Sequence, residues 1–190
     1  MNDHTTARTS HPQIRVDLVR ETLSRHDLND LCDATDSAIE GGGGFGWVKK
    51  PARDMLERYW QGVIVAPTRW LFVARLDGVI CGTTQVVLPP HNNEAQGHIV
   101  HLTTHFVAPW ARGHGLSKML LESVETECLA KGYAVINLDV RETMESAISL
   151  YESLGYVQFG THPYSVRAQG TTIASRHYYK VIKPEFFQKN

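Results

Sequence analysis

The order of elements at residues 107–118 constrains the fold more than any other feature of the chain. A β-rich run ends at Pro109, a turn of arginine and glycine residues follows, and a helix begins at about Leu116. This order directs several backbone N–H groups and the positive end of a helix dipole toward one spot. The segment therefore predicts a strand–turn–helix unit with a place for a phosphate or pyrophosphate group.

The composition is that of an ordinary globular domain. The 190 residues are 42% hydrophobic and 21% charged, with a formal net charge of −1, so we expect one domain over 13–190 and no nucleic-acid partner. Residues 1–12 are polar and predict a disordered tail without a secretory signal. Because no apolar run approaches the roughly 20 residues that span a bilayer, we expect a cytoplasmic protein without a membrane partner.

Neither the cysteines nor the histidines predict a metal site. The three cysteines lie far apart without a C-x-x-C pair, and we expect reduced thiols rather than a disulfide framework or a zinc site: Cys32, Cys81 and Cys128. Strand alternation places His98 on the face opposite to His101 and His105, and no acidic or thiol ligand lies beside them.

Hydrophobic periodicity predicts alternating strands and helices, and so an α/β domain with a mixed sheet. Asp77-Gly78 predicts a type I′ hairpin turn. Four glycines at 41–44 are either a flexible connector or a mobile loop beside a substrate pocket. Strands are predicted at 14–19, 70–74, 79–86, 98–107, 134–140, 156–159 and 175–182. Helices are predicted at 26–40, from near Pro51 to Trp60, from about Leu116 to Lys131, and around 147–154 with Gly155 as the C-cap.

The turn matches neither of two common nucleotide-binding patterns. The P-loop pattern needs a Gly-Lys pair that the chain lacks here, and in G-x-G-x-x-G the third glycine position is occupied by Lys118. What remains is R-G-x-G-x-S at 112–117. Glycines at these positions let the backbone approach an anion closely, although an ordinary tight turn has the same composition.

Two blocks of the sequence resemble the GNAT family of N-acetyltransferases. The first is Val107-Ala108-Pro109 with Arg-Gly-His-Gly-Leu-Ser at 112–117, similar to the family's V-x-P and R/Q-x-x-G-x-G/A patterns. The second runs from Leu-Asp-Val-Arg at 138–141 to Ala-Ile-Ser-Leu-Tyr-Glu-Ser-Leu-Gly-Tyr at 147–156. The resemblance is specific over 98–160 and extends over about 70–183. Residues 41–47, the hairpin and 178–180 look similar to bacterial members of the tabtoxin-resistance type.

This resemblance implies a fold, a reaction and a set of site residues. The fold is a splayed, mixed, mostly antiparallel sheet of six to seven strands flanked by helices. The reaction is direct transfer of an acetyl group from acetyl-CoA to a primary amine of a small molecule, amino acid or peptide, without a metal; a homodimer is an assembly that the family allows. The implied cofactor-binding residues are Phe106, Val107, Arg112, Gly113, His114, Gly115, Leu116, Ser117, Lys118 and Tyr151.

The pantetheine arm is expected between 101–107 and 134–140, with the backbone N–H of the Phe106/Val107 region polarising the thioester oxygen. Two positions depart from the family pattern. Ser117 stands in place of a small glycine or alanine, and Met144 stands where the family often has a hydrogen-bonding asparagine. A non-catalytic acyl-CoA-binding or sensing domain therefore stays an alternative.

The resemblance also implies an acid and a base. Tyr151 matches the tyrosine that protonates the departing sulfur, whereas its position on an apolar helix face also suits an ordinary core residue. His101 stands near the strand position of a family glutamate, where it or a water acts as the base, whereas a histidine in a strand also suits an ordinary structural residue. Strand alternation predicts one shared face for His101, Thr103 and His105. By analogy the acceptor pocket is rimmed by Phe45, Trp47, Gln85 and Tyr164, although these side chains also suit ordinary packing residues.

Overall fold

A computed structural model describes residues 11–43, 46–168 and 170–188. The predicted tail, apart from its last two residues, lies outside these ranges, as does Phe45. The described strands are β1 (Ile14–Val19), β2 (Arg69–Leu76), β3 (Val79–Val87), β4 (Ile99–Val107), β5 (Val135–Arg141), β6 (Val157–Ala168) and β7 (Thr171–Val181). The described helices are α1 (Arg25–Glu40), α2 (Arg53–Val65), α3 (Leu116–Ala130) and α4 (Glu145–Ser153).

The strands form one mixed sheet in the order β1-β2-β3-β4-β5-β7-β6. Every neighbouring pair is antiparallel except β4 and β5, which are parallel. Helix α3 provides the crossover between these two strands, as a parallel connection requires. The predicted fold class, a mostly antiparallel α/β sheet flanked by helices, is confirmed.

The sheet separates two apolar cores. Helices α1 and α2 cover one face, with Leu31, Leu56 and Trp60 fully buried against β2 and β3. On the opposite face α3 and α4 pack against the central strands through a second set of buried side chains, among them Leu120 and Ile148. Side chains of the sheet therefore point either toward α1 and α2 or toward α3 and α4.

Local residues set two connections, and the sequence predicts the first of them. Asp77 and Gly78 both have left-handed backbone angles, with φ of 50° and 90°, which a type I′ turn between β2 and β3 requires. Ser24 caps α1 by accepting a hydrogen bond from the Asp27 N–H at 3.0 Å. The short hairpin fixes the register of β2 and β3, which form the floor beneath α1 and α2.

Several predicted boundaries differ from the observed ones. Helix α2 begins at Arg53, so Pro51 precedes its N-cap, and the helix continues to Val65 because Val63 is buried against the sheet. The C-cap of α4 is Leu154, and Gly155 follows it with a φ of 85°. Strands β6 and β7 are longer than predicted because they pair with each other over mostly polar residues that carry no apolar alternation.

The three cysteines are free thiols and buried, as their spacing predicts. Burial raises the pKa of the Cys32 and Cys81 thiols to about 11, and that of Cys128 to about 12. These side chains are therefore neutral at physiological pH and act as small apolar core residues. Within the described ranges, no helix combines the length and the apolar character needed to cross a membrane.

Candidate active site

Strands β4 and β5 separate after their first four paired residues. Their parallel register runs from the Ile99–Val135 pair to the Leu102–Leu138 pair. A cavity of about 400 Å³ lies beyond this point, lined by residues of β4, β5, α4, β6 and β7. The sheet thus opens between its two parallel strands, where the resemblance predicts the pantetheine arm.

The predicted anion-binding turn leads directly into α3. Gly113 and Gly115 have φ values of 84° and 75°, which L side chains rarely adopt. Gly115 is the N-cap of α3 and provides no side chain to cap the helix. The N–H groups of residues 116–118 therefore have no partner within the helix and lie at the positive end of its dipole.

Side chains around this turn hold it in shape. The Arg112 Nε donates to the Val107 carbonyl at 3.5 Å, and His114 Nδ1 lies 3.2 Å from the Ala111 carbonyl. Lys118 pairs with Glu122 one helical turn further on, at 3.6 Å. Leu116 is buried in the core beneath α3. These contacts suit a preformed anion-binding turn, and the cofactor-binding roles of these residues stay predictions.

The end of β4 leaves one backbone N–H directed away from β3. Val107 pairs with Gly82 on β3, and the next N–H, that of Ala108, donates to the Cys81 carbonyl at 2.7 Å. Because successive N–H groups of a strand point to opposite edges, the Val107 N–H points toward the edge where β5 has separated. Phe106 is buried on the side of α1 and α2.

Tyr151 brings a hydroxyl group into the same cavity from α4. Its ring is 4% exposed and packs 5.7 Å from the Tyr156 ring and 6.4 Å from the Tyr178 ring. Burial raises the pKa of Tyr151 above its usual value, with a further contribution from the Asp139 charge. The hydroxyl therefore holds its proton at neutral pH and is available as a proton donor.

One predicted relationship within β4 is wrong: His105 does not share a face with His101. Between two paired positions, β4 has two residues where β3 has only Thr84, and Thr104 at this bulge has a φ of 53°. Leu102 consequently packs toward α3, whereas Phe106, four residues later, packs toward α1 and α2. The extra residue reverses the strand alternation, which the sequence pattern did not indicate.

The bulge places His105 against the first turn of α3. Its Nε2 lies 2.6 Å from the Ser117 hydroxyl, and its ring is 5.9 Å from the Tyr151 ring. The Nδ1 atom is buried and has no hydrogen-bond partner within the described residues. Burial lowers the pKa of His105 to about 4, so the imidazole is neutral at physiological pH.

His101 faces the opposite side of the sheet, where a second cavity of about 440 Å³ adjoins the first. Its Nε2 lies 3.5 Å from a carboxylate oxygen of Asp139. The hydrogen bond to His101 lowers the pKa of Asp139 despite partial burial, so this carboxylate is ionised. Asp139, Thr103 and Thr104 line both cavities. The two cavities therefore meet at the β4 bulge.

The predicted acceptor residues are only partly brought together. Trp47 lines the second cavity and contacts the Tyr59 ring edge-on at 4.9 Å. Gln85 is fully buried beneath this cavity, where its amide accepts from Arg69 at 2.8 Å and donates to the Tyr59 hydroxyl at 2.9 Å. Tyr164 is 79% exposed on β6 and lines neither cavity.

Met144 departs from the family pattern, and the structure gives its position. Met144 precedes α4 as an N-cap without a side-chain hydrogen bond, and it lines the first cavity. It therefore offers an apolar contact where the family pattern has an amide. Among the described residues, no group of three or more histidine, cysteine or acidic side chains is arranged to hold a metal ion.

Sequence comparison identifies the class of protein that this fold and site define. Residues 32–156 match the sequence model of the Acetyltransferase (GNAT) family. An uncharacterized N-acetyltransferase from the hisH-hisA intergenic region of Azospirillum brasilense is 62% identical over 123 residues, which are 65% of this chain and 73% of that protein. The chain belongs to the GNAT family of acetyltransferases, and the predicted enzyme class, an acetyl-CoA-dependent N-acetyltransferase, is confirmed.

Solved structures share the fold at low sequence identity. An N-acetyltransferase from Staphylococcus aureus Mu50 has a TM-score of 0.75 at 20% identity, covering 92% of this chain and all of that chain. The putative acetyltransferase yncA from Salmonella typhimurium, solved with its cofactor acetyl-CoA, has a TM-score of 0.72 at 15% identity. That match covers 90% of this chain and 95% of that chain. The fold prediction is thereby confirmed over nearly the whole chain.

Sequence reasoning did not identify Asp139, Tyr59 or Arg69 as site residues. Each comes from a different element, and only the sheet register and the packing of α2 bring them beside His101. A signal for Asp139 existed in the sequence, because it is the one charged residue of the predicted apolar strand at 134–140. Tyr59 and Arg69 have no comparable signal in their local sequence.

Proposed function

We propose that this enzyme transfers the acetyl group of acetyl-CoA directly to a primary amine. The observation that carries the proposal is the meeting of two cavities at the β4 bulge. One cavity is lined by Tyr151 and by His105, which contacts Ser117 in the first turn of α3. The other contains the His101–Asp139 pair. A donor and an acceptor bound in these cavities would bring their reacting groups together without a covalent enzyme intermediate.

In this proposal the donor lies in the opening between β4 and β5. The backbone N–H groups of residues 116–118, together with the α3 dipole, bind the pyrophosphate. Among the described residues, apart from chain neighbours and nearby helix backbone, no atom lies within 4 Å of where a Cβ of Gly113 or Gly115 would stand, which leaves open space around the turn for a phosphate. The Val107 N–H polarises the thioester oxygen as charge develops on it.

The acceptor amine reacts from the opposite cavity. His101 takes a proton from the ammonium group, and the ionised Asp139 stabilises the resulting imidazolium. The amine nitrogen then forms a bond to the thioester carbonyl carbon, the carbon–sulfur bond breaks, and the nitrogen and His101 each release a proton to solvent. Tyr151 donates its proton to the departing sulfur, and solvent restores the proton to the tyrosine. The products are the N-acetylated amine and a free thiol.

Thiol release from acetyl-CoA, measured with a panel of amines, tests the proposal. The panel contains amino acids, their carboxamides, arylamines and polyamines. We expect acceptor-dependent thiol release together with an N-acetyl product in equal amount. Tight CoA binding without thiol release from any amine would overturn the proposal and leave the acyl-CoA-binding alternative that Met144 first suggested.

A further inference from the structure

The second cavity, here called the acceptor cavity, contains a cationic group whose hydrogen-bond partner is neutral. Arg69, at the start of β2, donates from Nη1 to the Gln85 amide oxygen at 2.8 Å. Within the described residues, no carboxylate lies within ion-pair distance of its guanidinium. A guanidinium carries five N–H donors, so this contact leaves donors for a ligand in the cavity that Arg69 lines.

Gln85 holds this guanidinium in place. The Gln85 side chain is fully buried, and its amide nitrogen donates to the Tyr59 hydroxyl at 2.9 Å. With its oxygen bonded to Arg69 and its nitrogen to Tyr59, the amide cannot rotate without losing both hydrogen bonds. The buried Gln85 amide therefore restricts the movement of the Arg69 guanidinium, whereas an arginine on an exposed surface is mobile.

The sheet register fixes the distance between Arg69 and the proposed base. Arg69 pairs with Val87 on β3, and Val87 pairs with His101 on β4. Arg69 and His101 therefore lie in one row across three strands, with backbones about 10 Å apart, and both line the acceptor cavity. After allowance for the two side chains, the gap suits a small molecule with a basic and an acidic group only a few bonds apart.

The charges of the acceptor cavity favour a carboxylate over a second amine. Among its described lining residues the one carboxylate is Asp139, and this group is already paired with His101. A polyamine or an aminoglycoside would bring several positive charges toward Arg69 without an unpaired acid to receive them. A carboxylate, by contrast, can accept two parallel hydrogen bonds from a guanidinium.

We infer that Arg69 is a specificity-determining residue that binds the carboxylate of the acceptor, and that the acceptor is a free amino acid or a closely similar amino-carboxylate. The ligand amine lies beside His101 and its carboxylate beside Arg69, while Trp47 and Tyr59 line the space for the side chain. This inference rests on the acetyl transfer proposed above and deepens it by naming the acceptor class.

The test compares each L-amino acid with its own carboxamide, which keeps the size and the amine but removes the negative charge. For the wild-type enzyme we expect kcat/KM to be at least about 20-fold higher for the acid, as befits hydrogen bonds to a charged group. In Arg69→Gln this preference falls to near one, while the Kd for CoA is unchanged. Arg69→Lys keeps the charge but not the paired geometry. We expect its preference for the acid to lie between those of the wild-type enzyme and Arg69→Gln.

A matched control is Arg58→Gln, which removes an exposed arginine of α2 that pairs with Asp54. We expect it to keep the full preference for the acid. Equal turnover of acids and carboxamides by the wild-type enzyme, or an unchanged preference in Arg69→Gln, would overturn the inference and leave the proposed acetyl transfer intact. Absence of thiol release with every amine would overturn both.

Discussion

Tyr151 lines the first cavity, and its ring is packed among other aromatic rings. Replacement of Tyr151 by phenylalanine keeps that packing and removes only the proton donor. We therefore expect Tyr151→Phe to lower kcat by about 10²-fold, because general-acid assistance to the departing sulfur is lost. Steady-state thiol release measures the effect, and the unfolding midpoint should change little.

Tyr156→Phe is the matched control for this substitution. Tyr156 belongs to the same group of rings but does not line either cavity. We expect its kcat to stay close to that of the wild-type enzyme. An equal loss in both variants would show that the ring cluster matters structurally and would remove Tyr151 from the proton-transfer step.

His101 accepts the amine proton in the proposed reaction. Glutamine in its place cannot accept the amine proton, so we expect kcat/KM of His101→Gln to fall about 10²-fold near neutral pH. The loss should shrink as the pH rises, because a growing fraction of the acceptor amine is already deprotonated. The pH profile of both enzymes measures this recovery.

His98→Gln is a suitable control, because His98 stacks on Phe186 at 4.9 Å and lines neither cavity. Its pH profile should match that of the wild-type enzyme. If His101→Gln retains the wild-type rate near neutral pH, a water held by other groups acts as the base. A loss that stays constant with pH would point to a structural role for the imidazole instead.

At the scale of elements, the turn before α3 depends on two left-handed glycines. An alanine Cβ at Gly115 meets no non-neighbouring atom of the described residues within 4 Å. Its cost is therefore the backbone strain alone, about 1–2 kcal/mol for an L residue. If the turn relaxes to avoid this strain, its N–H groups no longer converge. We expect Gly115→Ala to weaken CoA binding about tenfold in a calorimetric titration.

Gly78→Ala separates this effect from simple destabilisation. Gly78 has a φ of 90° in the β2–β3 turn, and in the described part of the chain a Cβ there also meets no non-neighbouring atom within 4 Å. We expect both variants to lose similar stability, whereas only Gly115→Ala loses affinity for CoA. Equal CoA binding by all three proteins would contradict the assignment of the turn as the pyrophosphate site.

The elements also show which parts of the structure the sequence predicts. Asp77-Gly78 specifies its turn through two residues that tolerate left-handed angles, so the hairpin was predictable from local chemistry. The bulge at Thr104 was not, because a β-branched residue rarely adopts a positive φ and the surrounding sheet, not the residue, imposes it. This one backbone irregularity placed His105 on the wrong face in the prediction.

The candidate site is likewise only partly predictable from the sequence. The turn at 112–117 and the Tyr151 block are contiguous motifs, so their expected positions follow from the sequence. The acceptor cavity instead depends on the pairing of Arg69, Val87 and His101 across three strands. Residues far apart in the chain meet there through register and packing, which periodicity alone does not reveal.

For the whole molecule, the buried His105 predicts a loss of stability in mild acid. Burial lowers the pKa of His105 to about 4 in the folded protein, whereas a histidine of an unfolded chain has a pKa of about 6.5. Between these pH values the unfolded chain takes up a proton that the folded protein does not. The unfolding free energy should therefore fall as the pH drops through this range, by on the order of 3 kcal/mol in all.

His105→Gln tests this prediction, because its amide can still bond to Ser117 but does not titrate. Urea unfolding at a series of pH values between about 4 and 7 gives the free energy of each protein. We expect a shallower fall for the variant than for the wild-type protein. Parallel curves would mean that other groups account for the acid sensitivity.

In the proposed reaction, donor and acceptor meet across the β4 bulge and the acetyl group passes directly between them. The three cysteine thiols, which could in principle carry an acetyl group, are buried and line neither cavity. Initial rates of thiol release, measured while acetyl-CoA and the amine are both varied, test the claim. We predict intersecting double-reciprocal lines, the pattern of a ternary complex; parallel lines with an acetylated enzyme detected by mass spectrometry would contradict it.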